Sequence, residues 1–397
     1  MTDGSLMRGF PPPPSEQVAL ENFQDFPYLR WGFLNMRQLL PTANVSRGTG
    51  NPSALEHAPR DLDSIRFEGS DGSAMSVAQL IEAGYTDGFI VLKDGRIATE
   101  QYFNELRPDQ PHLLQSVTKS FAGSLAGILV DRGELDPDAP VVDIIPEIAG
   151  SAYGDATLRH VLDMTVGIAF REDYEDPKSE VGILAVATGW LPRVDFETPD
   201  GLRHFLGSLK PAGEHGAKFH YVSANTEVLG WVLERVSGLS FAELLSREIW
   251  QPMGAECDAY ITLDRLGAPV ACGGLCVTLR DLARFGQLHL EGGAVDGRQI
   301  VPRSWIEDTV SRGDNGAWTR GERVEQWPQG SYRNQWWVSG DDHGVYCGLG
   351  IHGQVVYVDP AAGVAIAKQS THPLAWDEKR FADLLCGFGA IGRELAS

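Results

Sequence analysis

Apolar and polar positions change their period twice along the chain. GFIVLKDGRIATEQYF (88–103) holds two runs rich in β-branched and aromatic residues around Asp94-Gly95, a favoured turn pair, and predicts a hairpin. Residues 116–132 then recur at helical spacing and stop near Gly133. Short helices are expected over 78–83 and 157–165. NTEVLGWVLERVSG (225–238) is amphipathic through Val228, Leu229, Val232 and Val236, with Gly238 placed to end it. Helical patterns follow over 241–250 and 278–293. GQVVYVDPAAGVAIAKQS (353–370) returns to strand character around a Pro360–Gly363 turn, and a last helix is expected over 376–390. Residues 166–200 show no period and are rich in Gly, Pro and acidic residues; a long irregular segment inside a compact chain usually serves function.

Strands at both ends with helices between them predict an α/β (α+β) fold, an antiparallel sheet flanked by helices. Residues 21–125 and 255–397 are expected to build that α/β lobe. Residues 126–254 are expected to form a mainly helical lobe with a lid loop at 166–200, and residues 1–20 an irregular arm. The chain has 397 residues, of which 43% are hydrophobic, enough for a large core. Its formal charge of −21 disfavours nucleic acid and anionic membrane as partners. No stretch approaches the roughly 18 apolar residues of a membrane span, and the N-terminus has no apolar signal core. The five cysteines are odd in number and lack zinc-type spacing, as expected of reduced thiols in a cytoplasmic protein. No metal or cofactor is expected; a homodimer is left open.

LLQSVTKSF (113–121) puts Ser116 and Lys119 three residues apart where a helix begins. On a helix that spacing advances about 4.5 Å and about 300°, so both side chains leave one face. A buried lysine can lose its proton toward neutral pH and serve as base for the serine. The backbone N–H of Ser116 is a ready oxyanion donor. As an ordinary N-cap and a solvated lysine, the same pair would do nothing. AKFHYVSANTEVLG adds Tyr221, a phenol able to relay a proton if a cation restrains its charge, and Ser223, able to bond Lys119 or substrate. GLGIHGQVVYVDP brings Gly348-Leu349-Gly350 followed by Ile351, a strand that a ligand can approach closely and whose exposed N–H groups can supply a second oxyanion donor. His352 in that turn reads as a structural hydrogen-bonder or a base. His215 and His220 do not share a helix face, so a metal hydrolase finds no clustered ligands.

This order of motifs resembles the penicillin-recognising serine hydrolases, in the branch holding class C β-lactamases, DD-peptidases and family VIII esterases. REDYEDPKSEV, YVSANT, QWW and GIHGQ add likeness to the nylon-oligomer amidases of that branch, over roughly residues 25–390. The resemblance implies that Ser116 is acylated and that Lys119 and Tyr221 share the proton work. It implies an oxyanion hole from the N–H groups of Ser116 and Ile351. Tyr174 and Trp190 would belong to a lid over the substrate.

Two departures qualify the resemblance. Gly348-Leu349-Gly350 replaces the usual triplet beginning with lysine or histidine that meets a β-lactam carboxylate, so weak or no β-lactam turnover is expected. Ala185 stands where a carboxylate would hold a substrate ammonium, so a less charged acyl or amine portion is expected. Cys272 is expected to line the same cleft or to be a small buried residue. The expected activity is hydrolysis of small amides or carboxylic esters. The rival of another class is a silent binder of peptide or cell-wall fragments on the same fold.

Overall fold

The computed structural model describes residues 6–193, 198–311, 313 and 315–396. Its main sheet has seven antiparallel strands: β1 (Thr86–Lys93), β2 (Arg96–Tyr102), β3 (Ser331–Arg333), β4 (Trp336–Val338), β5 (Tyr346–Gly350), β6 (Gln354–Asp359) and β7 (Val364–Ser370). Their order across the sheet is β3-β4-β5-β6-β7-β1-β2. The hairpin read at 88–103 is β1–β2, and that at 353–370 is β6–β7. β7 joins the two ends of the chain, pairing Ile366 with Val91 and Lys368 with Phe89. Every residue of β6 and β7 is buried, because helices cover both faces.

Five helices position the site: α1 (Thr118–Asp131), α2 (Glu180–Ala187), α3 (Ser223–Ser237), α4 (Leu279–Leu290) and α5 (Glu378–Ala396). α1 is buried on all sides from Thr118 to Leu129, and the hydroxyls of its Ser120 and Ser124 donate to the Gln335 and Ser120 carbonyls inside the protein. α4 packs on β6 and β7, with Phe285 stacked on Phe121 of α1 at 3.7 Å. From the last helix, Phe388 meets Phe89 at 6.0 Å and Tyr357 at 5.4 Å. α3 ends as the pattern predicted, with Gly238 left-handed at φ 68°.

Between Leu113 and Ala259 the described residues form no strand. The pattern at 241–250 changes character midway: Phe241–Leu245 is α-helical and Ser246–Trp250 is a π-turn that buries Trp250. A second, four-stranded sheet of Thr42–Val45, Ala259–Thr262, Leu275–Val277 and His112–Leu113 was not anticipated. Its strands hold two to four residues each, too few to show a period. This sheet sets the approach to the Ser116 turn, since the Leu114 N–H bonds the Leu275 carbonyl at 2.8 Å. The arm at 6–20 carries turns and one 3₁₀ turn (Pro14–Glu16), and Leu6 and Val18 anchor it in the core.

Candidate active site

Ser116 lies in a 3₁₀ turn (Gln115–Val117) that leads straight into α1. Gln115 holds φ at 49°, a region L side chains rarely adopt. The Thr118 hydroxyl restrains the turn by donating to the Gln115 carbonyl at 2.8 Å. Lys119, one turn into the helix, is 1% exposed and spends all three ammonium protons inside the protein. Its Nζ donates to Ser116 Oγ at 2.8 Å, to the Cys272 carbonyl at 2.8 Å and to Ser223 Oγ at 3.1 Å. The solvated-lysine reading of the motif is thereby excluded.

Tyr221 comes from the chain entering α3. Its ring stacks on Trp337 at 5.2 Å and its backbone N–H donates to Glu322. Lys119 Nζ lies 5.2 Å from the ring centroid, and Lys119 and Ser116 are both near enough to the phenol to pull its pKa down against burial. The structure therefore brings Ser116, Lys119, Tyr221 and Ser223 together.

One expectation is corrected. Burial works against the Lys119 ammonium, but the Glu172 carboxylate, and Tyr221 and Cys272 once they ionise, hold its proton, so the amine titrates above its usual range rather than toward neutrality. Burial also raises the Tyr221 phenol, against the pull of Lys119. At neutral pH the pair keeps both protons.

The glycines of β5 act differently from the expectation. A Cβ on Gly348 would lie 2.7 Å from Ser120 Oγ, and one on Gly350 would lie 2.6 Å from the Leu114 carbonyl. They admit the Ser116 turn and the first turn of α1 rather than a ligand. The same close approach sets Ile351, the next residue, beside the Ser116 turn in the wall of the cleft. His352 is buried, and its Nδ1–H donates to the His372 carbonyl at 2.7 Å. Burial lowers its pKa to about 4, so it is a neutral structural bonder.

Two chambers open on Ser116. The larger, of about 400 Å³, is lined by Tyr174, Ala185, Trp190, Ser223, Cys272 and His352, so the expected binding residues do share one cavity. Trp190 is fixed there by an Nε1–H bond to Thr262 at 3.3 Å and an edge contact with Phe23. Ala185 faces it from α2, but Glu21 and Asp25, just beyond the N-terminal arm, line it too, so it is less neutral than expected. The smaller chamber, of about 220 Å³, holds Tyr221, Trp337 and Ile351. Tyr174, 37% exposed, borders both.

Two further residues belong to the site and were missed in the sequence. Glu172 accepts the Ser223 N–H at 3.0 Å, the Ser223 hydroxyl, and the Tyr174 hydroxyl at 2.6 Å. It was one of many acidic residues in a loop without period. Glu227, one turn beyond Ser223, accepts the N–H groups of Ala271 and Cys272 at 3.1 and 3.0 Å. It thereby holds the carbonyl that receives Lys119. The available signal was its place four residues after Ser223, on a buried helix face.

Burial raises the Glu227 carboxyl from 4.5 to about 7, against the bonds from Cys272 and Ala271. Between those values the folded state binds the extra proton, so its stability contribution is full below about pH 4.5 and is lost as pH rises to about 7. The loss amounts to about 3 kcal/mol. Urea unfolding should show stability falling between pH 5 and 8, and Glu227→Gln should flatten that slope.

The Beta-lactamase family matches residues 77–382. A 6-aminohexanoate-dimer hydrolase of Paenarthrobacter ureafaciens is 39% identical over 92% of this chain and 91% of its own. Esterase EstB of Burkholderia gladioli is 29% identical over 42% and 43% of the two chains. A solved Bacillus anthracis structure, assigned as a 6-aminohexanoate-dimer hydrolase, superposes with a TM-score of 0.87 at 30% identity, covering 95% of this chain and 97% of that one. A family VIII carboxylesterase shares the fold, with a TM-score of 0.59 at 18% identity over 79% and 95% of the chains. Sequence, fold and the arrangement around Ser116 agree: the chain belongs to the Beta-lactamase family of serine hydrolases.

Proposed function

We propose that the protein hydrolyses linear amides of the 6-aminohexanoate-dimer type, and carboxylic esters, through an acyl-Ser116 intermediate. The observation that carries this is the Lys119 ammonium, buried and bonded to Ser116 Oγ, with the Tyr221 ring 5.2 Å from its Nζ. Because both groups titrate high, the reactive form is the pair that has lost one proton, and its apparent pKa belongs to the pair. Ser116 Oγ attacks the carbonyl carbon while its proton passes to that pair. The Ser116 and Ile351 N–H groups receive the oxyanion. The C–N bond breaks as Tyr221 returns the proton to the leaving amine. Water then attacks the acyl-serine by the same route in reverse.

The acyl portion occupies the larger chamber and the amine portion the smaller, since Tyr221 lines only the latter. Ester cleavage in the same cleft is the second reading, favoured by the likeness to EstB. Esters need less leaving-group protonation. β-Lactam turnover is expected to be weak or absent, because Gly348 occupies the position where lysine or histidine would meet its carboxylate. The five unpaired cysteines support a reducing, cytoplasmic location.

The test is a side-by-side profile of p-nitrophenyl esters, linear ω-amino amides and cephalosporins, with fluorophosphonate labelling. Turnover of esters and amides with label on Ser116 is expected; a protein that binds fragments but neither turns over nor labels would be the silent binder. Ala185→Asp should raise kcat/KM for amino-terminated amides about 5- to 10-fold relative to neutral esters, by placing a charge beside the substrate ammonium. An unchanged ratio would mean the ammonium is held elsewhere.

A further inference from the structure

The smaller chamber contains one basic residue, Arg323, among the described residues. Its guanidinium lies over the Trp376 indole at 4.9 Å. Among the described residues its one acceptor is the Gln326 side chain at 3.2 Å, and no carboxylate is within ion-pair distance. Arg323 Nε and Trp376 Nε1 are both buried donors with no partner. Buried donors left without acceptors cost free energy, and a guanidinium fork matches a carboxylate in particular.

The segment carrying Arg323 is held against the catalytic tyrosine. Glu322 accepts the Tyr221 N–H at 3.1 Å, the Phe219 N–H bonds the Ala317 carbonyl at 2.8 Å, and Trp318 Nε1 bonds the Trp327 carbonyl at 2.9 Å. The carboxylates in the same chamber come from the lid loop. Glu172 is engaged by Ser223 and Tyr174, Asp173 accepts the Glu175 N–H, and Glu175 is exposed. None of them uses Arg323.

We propose that Arg323, braced on Trp376, receives the carboxylate on the amine half of the substrate and so sets selectivity for a leaving amine that carries a free acid. This rests on the proposed acyl-Ser116 mechanism and adds the chemistry of its leaving group. Arg323 selects; it does not take part in proton transfer.

The experiment uses one acyl group joined to 6-aminohexanoate, and the same compound as its methyl ester. The wild-type protein should favour the free acid in kcat/KM by about 10- to 100-fold, the worth of a charge-assisted pair. Arg323→Ala should bring that ratio to near one, mainly through KM, and Arg323→Lys should restore part of it. A ratio near one in the wild type, or a ratio unmoved in Arg323→Ala, would overturn the assignment. Labelling of Ser116 by fluorophosphonate in each variant separates the outcomes. Label without selectivity sinks the Arg323 assignment alone, and absence of label in the wild type sinks the hydrolase mechanism beneath it.

Discussion

Replacing Lys119 with alanine is expected to lower kcat/KM by about 10³- to 10⁴-fold on amides and esters alike, at the upper end of what a positioned proton-transfer group supplies. The ammonium bonds Ser116, Ser223 and the Cys272 carbonyl together, so its loss removes both the proton carrier and the aim of the nucleophile. It also removes the cation that restrains the Tyr221 phenol. Fluorophosphonate labelling should slow in proportion. The fold should persist, because the direct acceptors of Lys119 are two hydroxyls and a carbonyl, with no carboxylate in a direct ion pair among the described residues. Near-normal rates in this variant would show that Ser116 is activated by another group.

Tyr221→Phe should separate the two substrate classes. The ring still stacks on Trp337 and only the phenol oxygen is lost. Amide hydrolysis should fall about 10³-fold, because an amine leaves poorly without a proton. A p-nitrophenyl ester, whose leaving group needs no proton, should lose about 10-fold. The rise in kcat/KM as the Lys119–Tyr221 pair gives up its proton should change shape in the variant. Equal losses on both classes would make Tyr221 the base for acylation and not the acid for the leaving group.

Much of this arrangement was legible before any coordinates. Ser116 and Lys119 stand at a spacing with a physical meaning, Tyr221 was reached through the family resemblance, and the hairpins flanking Asp94-Gly95 and Pro360–Gly363 were clear from period and turn chemistry. What stayed hidden depends on long-range contact. The strand at Leu275–Val277 carries no period in three residues, yet it fixes the nucleophile turn. Glu21 and Asp25 stand at the end of an N-terminal stretch without period, but line the larger chamber. Glu172 was one acid among several until Ser223 and Tyr174 were seen to converge on it. The protonation state of Lys119 was misjudged for the same reason: burial alone lowers a lysine, and its neighbours in space, absent from the local sequence, reverse the sign.

Rapid-quench mass spectrometry of the protein turning over a slow ester tests the account most directly. The mass of the acyl group should appear on the intact chain and map to the peptide holding Ser116, and it should vanish in Ser116→Ala. Steady turnover with no adduct, or an adduct on Cys272 in the same cleft, would contradict it.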